Sequence, residues 1–362
     1  MRRTAIIGTG LIGGSIGLGL VRGSEAEVIG YDVDPGALTG ALQVGAINRA
    51  ASNIAAAAAE ADLVVLAVPT ERIPGLCAEV AEAAPPRAVV TDVGSAKIEV
   101  VEAGRAALGG RFVGGHPMAG SERHGIEAAE PSLFEEAWWV LTPTEETSST
   151  SYGEVAGLAT SLGARPVAVD PFTHDALAAR LSHLPQLVAS ALVDVASRSG
   201  DREALLGLAG AGFRDVTRIA ASNPDLWVGI IRSNTDAVLD AIAGLDRSLD
   251  FVADAIRRQR WDELGAWLAG SRRARIELFA KPDYGEEPVA LAMVVPDRPG
   301  VLAEVTTAAG ELGANIEDLR IIHSTEGGQG RLELVVAGRE PAELLAATLI
   351  RLGYRVHRAQ IN

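Results

Sequence analysis

Cysteine is almost absent from this chain of 362 residues, which has a single thiol, Cys77. One cysteine excludes an intrachain disulfide, and it excludes a thiol-rich metal site because such sites need several Cys or Cys/His ligands. A lone free thiol is typical of a reducing cytosol, so we predict a cytoplasmic protein. The remaining composition, with 48% hydrophobic and 22% charged residues, is that of a globular chain with two or three domains.

Positive charge is also scarce, since 32 Lys and Arg against 47 Asp and Glu leave a formal net charge of −15. Such an acidic surface repels phosphate backbones, so we expect no nucleic-acid partner. The 6 histidines are spread thinly and form no H-E-x-x-H motif, so no metal site is expected. His174 and His183 are predicted to lie on roughly opposite faces of one helix.

Long hydrophobic runs are limited to one, Ala5–Val21, which follows Arg2 and Arg3 and resembles a secretory signal peptide. Its glycines and the lack of a convincing cleavage site favour a buried strand, a glycine turn and a buried helix instead. No other apolar stretch reaches the roughly 18–20 residues of a membrane span, so we expect no membrane association.

Residues 1–171 alternate short β-rich runs with helical stretches, and several of the runs are apolar throughout, as strands buried on both faces of a parallel sheet are. The alternation predicts βαβ units with right-handed crossovers in an α/β, doubly wound, Rossmann-type sheet. The predicted strands are Thr4–Ile7, Glu27–Tyr31, Leu63–Ala67, Ala88–Asp92, Arg111–Gly114, Trp138–Thr142 and Pro166–Val169.

The rest of the chain divides into a helical part and a second α/β part. Residues 172–280 lose the strand signal and are predicted to form an all-helical domain, and residues 281–287 form a charged linker with Pro and Gly. Residues 288–362 have the βαββαβ order of a ferredoxin-like fold. Its predicted elements are Val289–Val295, Gly300–Leu312, Ile316–Ile322, Arg331–Ala337, Ala342–Leu352 and Tyr354–Gln360.

A glycine motif, Gly8-Thr-Gly10-Leu-Ile-Gly13, matches G-x-G-x-x-G between an apolar strand and a helix, and Asp32 lies 19 residues after Gly13. Gly8 permits the tight turn, Gly10 lets the backbone approach a pyrophosphate, and Gly13 lets the helix pack on the strand. Asp32 would accept hydrogen bonds from ribose hydroxyls and repel a 2′-phosphate, so NAD is predicted over NADP. The alternative is a plain βα turn in a glycine-rich chain.

Other residues are predicted to complete the cofactor site. Leu11 and Ile12 open the helix whose backbone N–H groups face the phosphates. Val68 and Pro69 follow the third predicted strand and would form a wall on the adenine and ribose side.

Two polar residues emerge beyond neighbouring strands, where ligands of open α/β sheets bind. Ser95 follows the strand that ends at Asp92, and His116 follows the next one. A neutral imidazole at this place can take a hydroxyl proton while hydride leaves the same carbon. The alternative is a hydrogen-bonded loop histidine.

Five ordered motifs resemble the prephenate and arogenate dehydrogenases of tyrosine biosynthesis. They are Gly8–Gly13 with Asp32, Gly94-Ser-Ala-Lys97, Gly115-His-Pro-Met-Ala-Gly-Ser-Glu122, Ser182-His-Leu-Pro185 and Gly212-Phe-Arg-Asp-Val-Thr-Arg218. The resemblance implies that hydride passes from the hydroxyl-bearing ring carbon of prephenate to NAD⁺, that the ring carboxylate leaves as CO₂, and that 4-hydroxyphenylpyruvate forms.

The resemblance also implies roles for individual residues. His116 would hold the ring hydroxyl, with Ser95 beside the hydroxyl and the nicotinamide, and Arg218 would grip a carboxylate with two hydrogen bonds. The other residues implied on the substrate side are His183, Gln186, Ser121, Glu122, Arg214 and Trp227. Trp227 would reach the site from the partner subunit of a homodimer built on the helical domain, or would be an ordinary core aromatic.

Gln186 departs from the family pattern, because many relatives that use prephenate have a second histidine there. Glutamine is neutral and both donates and accepts. The keto side chain of prephenate and the amino-acid side chain of arogenate are therefore both open as substrates.

The C-terminal part resembles an ACT domain, which implies tyrosine as an effector held between paired domains. The residues that carry this resemblance are Asp297, Gly300, Val301, Leu302, Asn315 and Ile316. The alternative is a purely structural pairing domain, since exposed sheet edges favour pairing.

Two other functions are considered. An amino-acid-sensing protein with a retired active site is disfavoured because His116, Ser95, Arg218 and the glycine motif are intact. A generic hydroxyacid dehydrogenase would use a lysine or a His/carboxylate pair in another order.

Overall fold

A computed structural model describes residues 2–23, 26–119, 125–198, 209–278, 288–296, 298–323 and 329–359. The chain divides into two compact units, Met1–Val252 and Ala253–Asn362. The first unit holds an eight-stranded sheet, and the second holds a four-stranded sheet.

The large sheet has the strand order β3-β2-β1-β4-β5-β6-β7-β8. Its strands are β1 (Arg2–Ile7), β2 (Ala26–Tyr31), β3 (Arg49–Ala50), β4 (Leu63–Leu66), β5 (Val89–Asp92), β6 (Phe112–Pro117), β7 (Trp138–Thr142) and β8 (Arg165–Ala168). Every predicted strand of this part is present, within a few residues at each end. The two-residue strand β3 lacks an apolar run and was not predicted.

The sheet is parallel from β3 to β6, as predicted, but β7 runs antiparallel to β6. A parallel return would need a crossover to the opposite end of the sheet, usually through a helix. Between β6 and β7 the described part of the chain contains only a single 3-10 turn, Ile126–Ala128, so the chain re-enters the sheet from the same end.

The helices of the first unit were predicted only as patterns. They are α1 (Leu11–Arg22), α2 (Pro35–Gln43), α3 (Ile54–Ala58), α4 (Ile73–Ala83), α5 (Ile98–Leu108), α6 (Ser149–Ser161), α7 (Pro171–Ala178), α8 (Leu184–Ser197), α9 (Ala211–Thr217), α10 (Pro224–Ser233) and α11 (Thr235–Arg257). Asp170 caps α7 by accepting the Thr173 N–H at 3.0 Å, and Pro171 fits its first turn. As expected, the described residues between 171 and 278 form helices and no strand.

Two apolar cores cover the faces of the large sheet. Ile7, Val64 and Val90 point to one face, and Ile6, Val65 and Val89 point to the other, because successive side chains of a strand alternate. Cys77 lies in the first of these cores, and burial raises the pKa of its thiol to about 12. The thiol therefore stays protonated and acts as a small apolar side chain.

One helical run, Pro171–Ser197, is long and apolar enough by length and composition to cross a membrane, with a mean hydropathy of 1.2. The sequence predicts no such stretch, and the run contains the charged residues Asp175, Arg180 and Asp194. One such helix is weak evidence of a membrane span, because the same test is passed by core helices.

The second unit contains the end of α11, then α12 and a βαββαβ arrangement. Its elements are α12 (Trp261–Leu278), β9 (Val289–Pro296), α13 (Val301–Glu311), β10 (Ile316–His323), β11 (Gln329–Val336), α14 (Arg339–Arg351) and β12 (Arg355–Ala359). The sheet is antiparallel in the order β10-β11-β9-β12. Met293, Val305, Leu334 and Leu345 lie in its core. The predicted βαββαβ order is therefore present.

Candidate active site

The glycine motif forms a tight turn between β1 and α1. Gly8 has φ +97°, and a Cβ there would lie 2.3 Å from the carbonyl oxygen of Ala67. A Cβ on Gly13 would lie 1.9 Å from the carbonyl oxygen of Gly8. Neither position therefore accepts a larger residue. No atom lies within 4 Å of the Cβ position of Gly10, so the backbone is open on that side.

Asp32 is fixed beside this turn. Its Oδ2 accepts the backbone N–H of Thr9 at 2.6 Å, and its Oδ1 accepts the backbone N–H of Asp34 at 2.9 Å. Val68 approaches the same turn, since its Cγ1 lies 3.2 Å from the Cβ position of Gly8. An open backbone at Gly10 beside a held carboxylate is the arrangement that a dinucleotide needs, and the residues present fit NAD.

His116 lies on β6, and its imidazole forms a hydrogen bond with a second histidine. Its Nδ1 is 2.9 Å from Nε2 of His174, which is buried at the start of α7. Nδ1 of His174 is in turn 2.7 Å from Oδ1 of Asp175. Burial, followed by the neighbouring His174, Lys97 and His183, holds the pKa of His116 well below its usual value. His116 is therefore neutral at pH 7.

Asp175 joins this chain of side chains to helix α5. Its Oδ1 accepts the backbone N–H of Lys97 at 2.7 Å, and its Oδ2 accepts that of Ile98 at 2.9 Å. These N–H groups belong to the first turn of α5, where the helix has no partner of its own for them. A residue 77 positions later along the chain therefore completes the start of this helix.

A buried ion pair lies directly behind His116. The Lys97 ammonium contacts the Asp92 carboxylate, and both side chains are fully buried. Nζ of Lys97 also donates to the carbonyl oxygen of Gly115 at 2.8 Å, while Asp92 accepts the N–H of Gly115 at 3.1 Å. Burial lowers the pKa of Lys97, and the Asp92 charge opposes that shift. The pair therefore fixes the peptide groups that precede His116.

Ser95 lies past the end of β5, as predicted. Its backbone N–H donates to Oγ1 of Thr70 at 3.1 Å, and the two hydroxyl oxygens are 3.5 Å apart. Thr70 follows β4, so both hydroxyls lie at the carboxyl ends of neighbouring strands. Thr70 was not predicted, and no motif of the sequence marked it.

His183 and Gln186 lie on the helical side. His183 is buried, and burial lowers its pKa to about 4. Asn234 places its Nδ2 2.9 Å from the carbonyl oxygen of Asp175 and 3.3 Å from Nδ1 of His183. The ring of Trp227 lies edge-on to that of His183, with centroids 6.1 Å apart. Gln186 is 5% exposed.

Gln186 carries a feature that points to a ligand. Its Oε1 is buried and has no hydrogen-bond partner among the residues described by the structure. A buried carbonyl oxygen without a donor costs free energy unless a ligand or water supplies one. The oxygen is therefore an acceptor that a ligand or a water could use.

The expectation that His174 and His183 lie on opposite faces is wrong. Asn234 connects the carbonyl oxygen of Asp175 to His183, and both histidines lower the pKa of His116. The reason is a π turn over Ala179–His183. A π turn has i→i+5 hydrogen bonds and so more residues per turn, which rotates His183 back toward the face of His174.

The other predicted residues are placed as follows. Arg214 lies on α9 and Arg218 directly after it, and both are exposed. Leu11 and Ile12 are the first residues of α1, and Pro69 follows β4. Ser121, Glu122 and Asp297 lie outside the described residues. His174, Asp175 and Asn234 were missed, and the only signal for them was an adjacent His-Asp pair at a helix start.

The C-terminal residues proposed to hold an effector flank α13, with Gly300, Val301 and Leu302 at its start and Asn315 and Ile316 after its end. Gly300 caps α13 with φ +92°, a conformation that favours glycine. Val301 is buried, while Leu302 and Asn315 are exposed. Ile316 begins β10. In the described parts of the chain, no group of three or more His, Cys, Asp or Glu is placed to hold a metal ion.

Comparison with known proteins identifies the family. Residues 19–168 match the family model for the nucleotide-binding domain of prephenate dehydrogenase, and residues 170–270 match its dimerization domain. The chain belongs to the prephenate dehydrogenase family. Prephenate dehydrogenase of Bacillus subtilis is 33% identical over 342 residues, which cover 92% of each chain.

Solved structures agree with this assignment. Prephenate dehydrogenase from Aquifex aeolicus, in complex with hydroxyphenyl propionate and NAD⁺, is 33% identical with a TM-score of 0.72, and the match covers 77% of this chain and 98% of that one. Arogenate dehydrogenase from Synechocystis is 30% identical with a TM-score of 0.67, covering 76% and 100%. The predicted family, the NAD cofactor and the dehydrogenase activity toward prephenate are confirmed.

Proposed function

We propose that His116 is the base of this NAD-dependent oxidative decarboxylation. The observation that carries the proposal is the half-buried, neutral imidazole of His116 at the carboxyl end of β6, whose Nδ1 hydrogen-bonds His174. A neutral ring has one nitrogen free to accept a proton. A base that is neutral at the working pH is what proton removal requires.

His116 removes and later returns the proton of the ring hydroxyl. The nicotinamide supplies an acceptor for the hydride that leaves the hydroxyl-bearing ring carbon. His116 takes the hydroxyl proton as that carbon becomes a carbonyl. When the bond to the ring carboxylate breaks, its electron pair enters the ring, CO₂ leaves, and His116 returns the proton to the same oxygen. Prephenate plus NAD⁺ then gives 4-hydroxyphenylpyruvate, CO₂ and NADH.

Ser95, His183 and Arg218 complete the proposed site. Ser95, held by Thr70 at the neighbouring strand end, donates a hydrogen bond near the ring hydroxyl. His183 is neutral and buried, and it faces the substrate from the helical side. Arg218 supplies the charge for a carboxylate and Arg214 assists it, while Ser121 and Glu122 are assigned to the substrate by the family resemblance alone.

The substrate side chain is read by Gln186. We favour prephenate, which carries a keto group where arogenate carries an ammonium group, while the side-chain carboxylate is the same in both. The unpartnered Oε1 of Gln186 is an acceptor that an ammonium group would satisfy. This acceptor would admit arogenate, while the preference for prephenate is supported by the prephenate dehydrogenases among the relatives. A cyclohexadienyl dehydrogenase of Zymomonas mobilis, 30% identical over 79% of this chain, is among the relatives.

The assembly is a cytoplasmic homodimer with a regulatory C-terminal domain. The matched dimerization-domain region starts at residue 170 and includes apolar side chains left largely exposed in one chain, such as Phe172, Leu181 and Val195. The βαββαβ unit and the left-handed turn at Gly300 support an ACT domain that binds tyrosine.

The experiment follows the NADH absorbance with each substrate and each cofactor. The wild type should reduce NAD⁺ with prephenate and should prefer NAD⁺ to NADP⁺, because Asp32 would meet a 2′-phosphate. His116→Asn should keep the fold and NAD⁺ affinity but lose about 10²–10⁴-fold in kcat, the usual contribution of a positioned base. Near-normal turnover of His116→Asn would refute the proposed role, and His357→Asn on exposed β12 is the matched control.

A further inference from the structure

The contacts of Asp175 fix which atoms of its neighbours carry protons. Each carboxylate oxygen accepts a backbone N–H at the start of α5, from Lys97 at 2.7 Å and from Ile98 at 2.9 Å. An ionised carboxylate has no proton to donate. Toward His174 it therefore acts as an acceptor only.

The proton position on His174 follows from this. Its Nδ1 lies 2.7 Å from Oδ1 of Asp175, so Nδ1 must carry the hydrogen that makes the bond. A neutral imidazole protonated on Nδ1 has a bare Nε2. That bare Nε2 faces Nδ1 of His116 at 2.9 Å, so the hydrogen of this second bond belongs to His116.

The reactive nitrogen of His116 is the one that does not bond His174. With its hydrogen on Nδ1, the neutral ring of His116 has an unprotonated Nε2. In a neutral histidine either ring nitrogen can carry the hydrogen. The hydrogen bond made by one nitrogen decides whether the hydrogen stays on it or moves to the other.

We propose that His174 and Asp175 are positioning residues that set the tautomer of His116, leaving its Nε2 as the bare nitrogen that takes the proton of the substrate hydroxyl. The inference rests on the proposed base role of His116. The same two hydrogen bonds stabilise the imidazolium formed during the reaction, because the chain of side chains ends at the carboxylate of Asp175.

The kinetic test compares two substitutions of His174. The amide oxygen of His174→Gln can accept the Nδ1 hydrogen of His116, whereas His174→Leu cannot. We expect His174→Leu to lose about 10²-fold or more in kcat, as when a catalytic histidine is released into the wrong tautomer. KM for prephenate should change little, and His174→Gln should recover most of the loss. A purely structural role predicts equal losses in both variants, with a changed KM.

The spectroscopic test does not depend on activity. Histidine is labelled with ¹⁵N in the full-length protein with NAD⁺ bound, and the His116 signals are those absent from His116→Asn. In the wild type Nδ1 of His116 should be protonated and Nε2 bare. His174→Leu should move protonation toward Nε2, while His357→Asn should leave the His116 signals unchanged.

Two results would overturn the inference: a wild-type His116 protonated on Nε2, or a His174→Leu variant with near wild-type turnover. The proposed function fails in a different way. If His116→Asn keeps its activity, the base role is lost even where the tautomer signals are as expected.

Discussion

Single side chains decide the chemistry of this site, and their protonation decides its pH range. His183 has a pKa lowered to about 4 from 6.5, because burial disfavours its charged form. The unfolded chain therefore binds a proton between about pH 6.5 and pH 4 that the folded chain does not. Stability is fully present above this window and is lost as the pH falls through it.

We expect the melting temperature to fall between pH 7.5 and pH 5, and to fall less steeply in His183→Asn. Asparagine can keep the bond with Asn234 without titrating. The melting curves of both proteins, recorded at several pH values, measure the difference in slope. Equal slopes of melting temperature against pH in the two proteins would show that other groups cause the pH dependence. His116 is one such group, because its pKa is also lowered.

A substitution of Gln186 tests how the enzyme discriminates between prephenate and arogenate. Replacing its acceptor oxygen with an imidazole, Gln186→His, should raise the ratio of kcat/KM for prephenate to that for arogenate. A site that hydrogen-bonds one group rejects the analogue that leaves its own groups unpaired. Gln259→His, at an exposed turn, is the control. An unchanged ratio would place the discrimination at another residue.

The sequence predicted His116, Ser95 and the glycine motif because each follows a strand or lies in a short local pattern. His174 and Asp175 could not be found in this way. Their partners are 58 and 77 residues away, and the hydrogen bonds depend on how the helix packs against the sheet. Hydrophobic periodicity reports which face of a helix is buried, but it does not report which polar groups meet there.

At the scale of elements, the sheet and the helices that flank it were predicted, and two irregular features were not. The π turn before α8 and the antiparallel entry of β7 each change the direction of side chains. Neither has a sequence signature of its own. The ion pair of Asp92 and Lys97 is a further element-scale feature, because it joins β5, the start of α5 and β6.

Breaking that pair by Lys97→Met should cost about 3–5 kcal/mol of the free energy of unfolding, because an uncompensated buried charge remains. Urea denaturation measures the loss. Arg87→Met breaks the exposed pair with Asp62 and should cost no more than about 1 kcal/mol. Equal losses in the two variants would contradict the view that the buried pair holds the strands together.

At the scale of the whole molecule, two units are described where three domains were predicted, and the family models meet between residues 168 and 170. The βαββαβ order of the second unit was predicted almost element by element, since its short alternating runs are local. How the units communicate is not a local property, so feedback control is tested in solution.

Tyrosine should bind the intact protein and inhibit it, with a coupling free energy of about 1–3 kcal/mol. A chain ending at Pro282 should keep its activity and lose its sensitivity to tyrosine. Asn315→Ala in the full-length chain should weaken inhibition without changing uninhibited turnover. Titration calorimetry measures binding directly. Absence of tyrosine binding to the intact protein would exclude this form of control.

The carboxylate of Asp175 has a consequence for protein engineering. It supplies the first turn of α5 with the cap that the local sequence does not provide, since Lys97 at that position makes no capping bond with its side chain. A chimaera that joins the first 171 residues to the helical segment of another dehydrogenase would separate helix from cap. Loss of a cap costs about 1 kcal/mol. A chimaera that combines this nucleotide-binding part with another helical segment must therefore have a carboxylate at the position of Asp175.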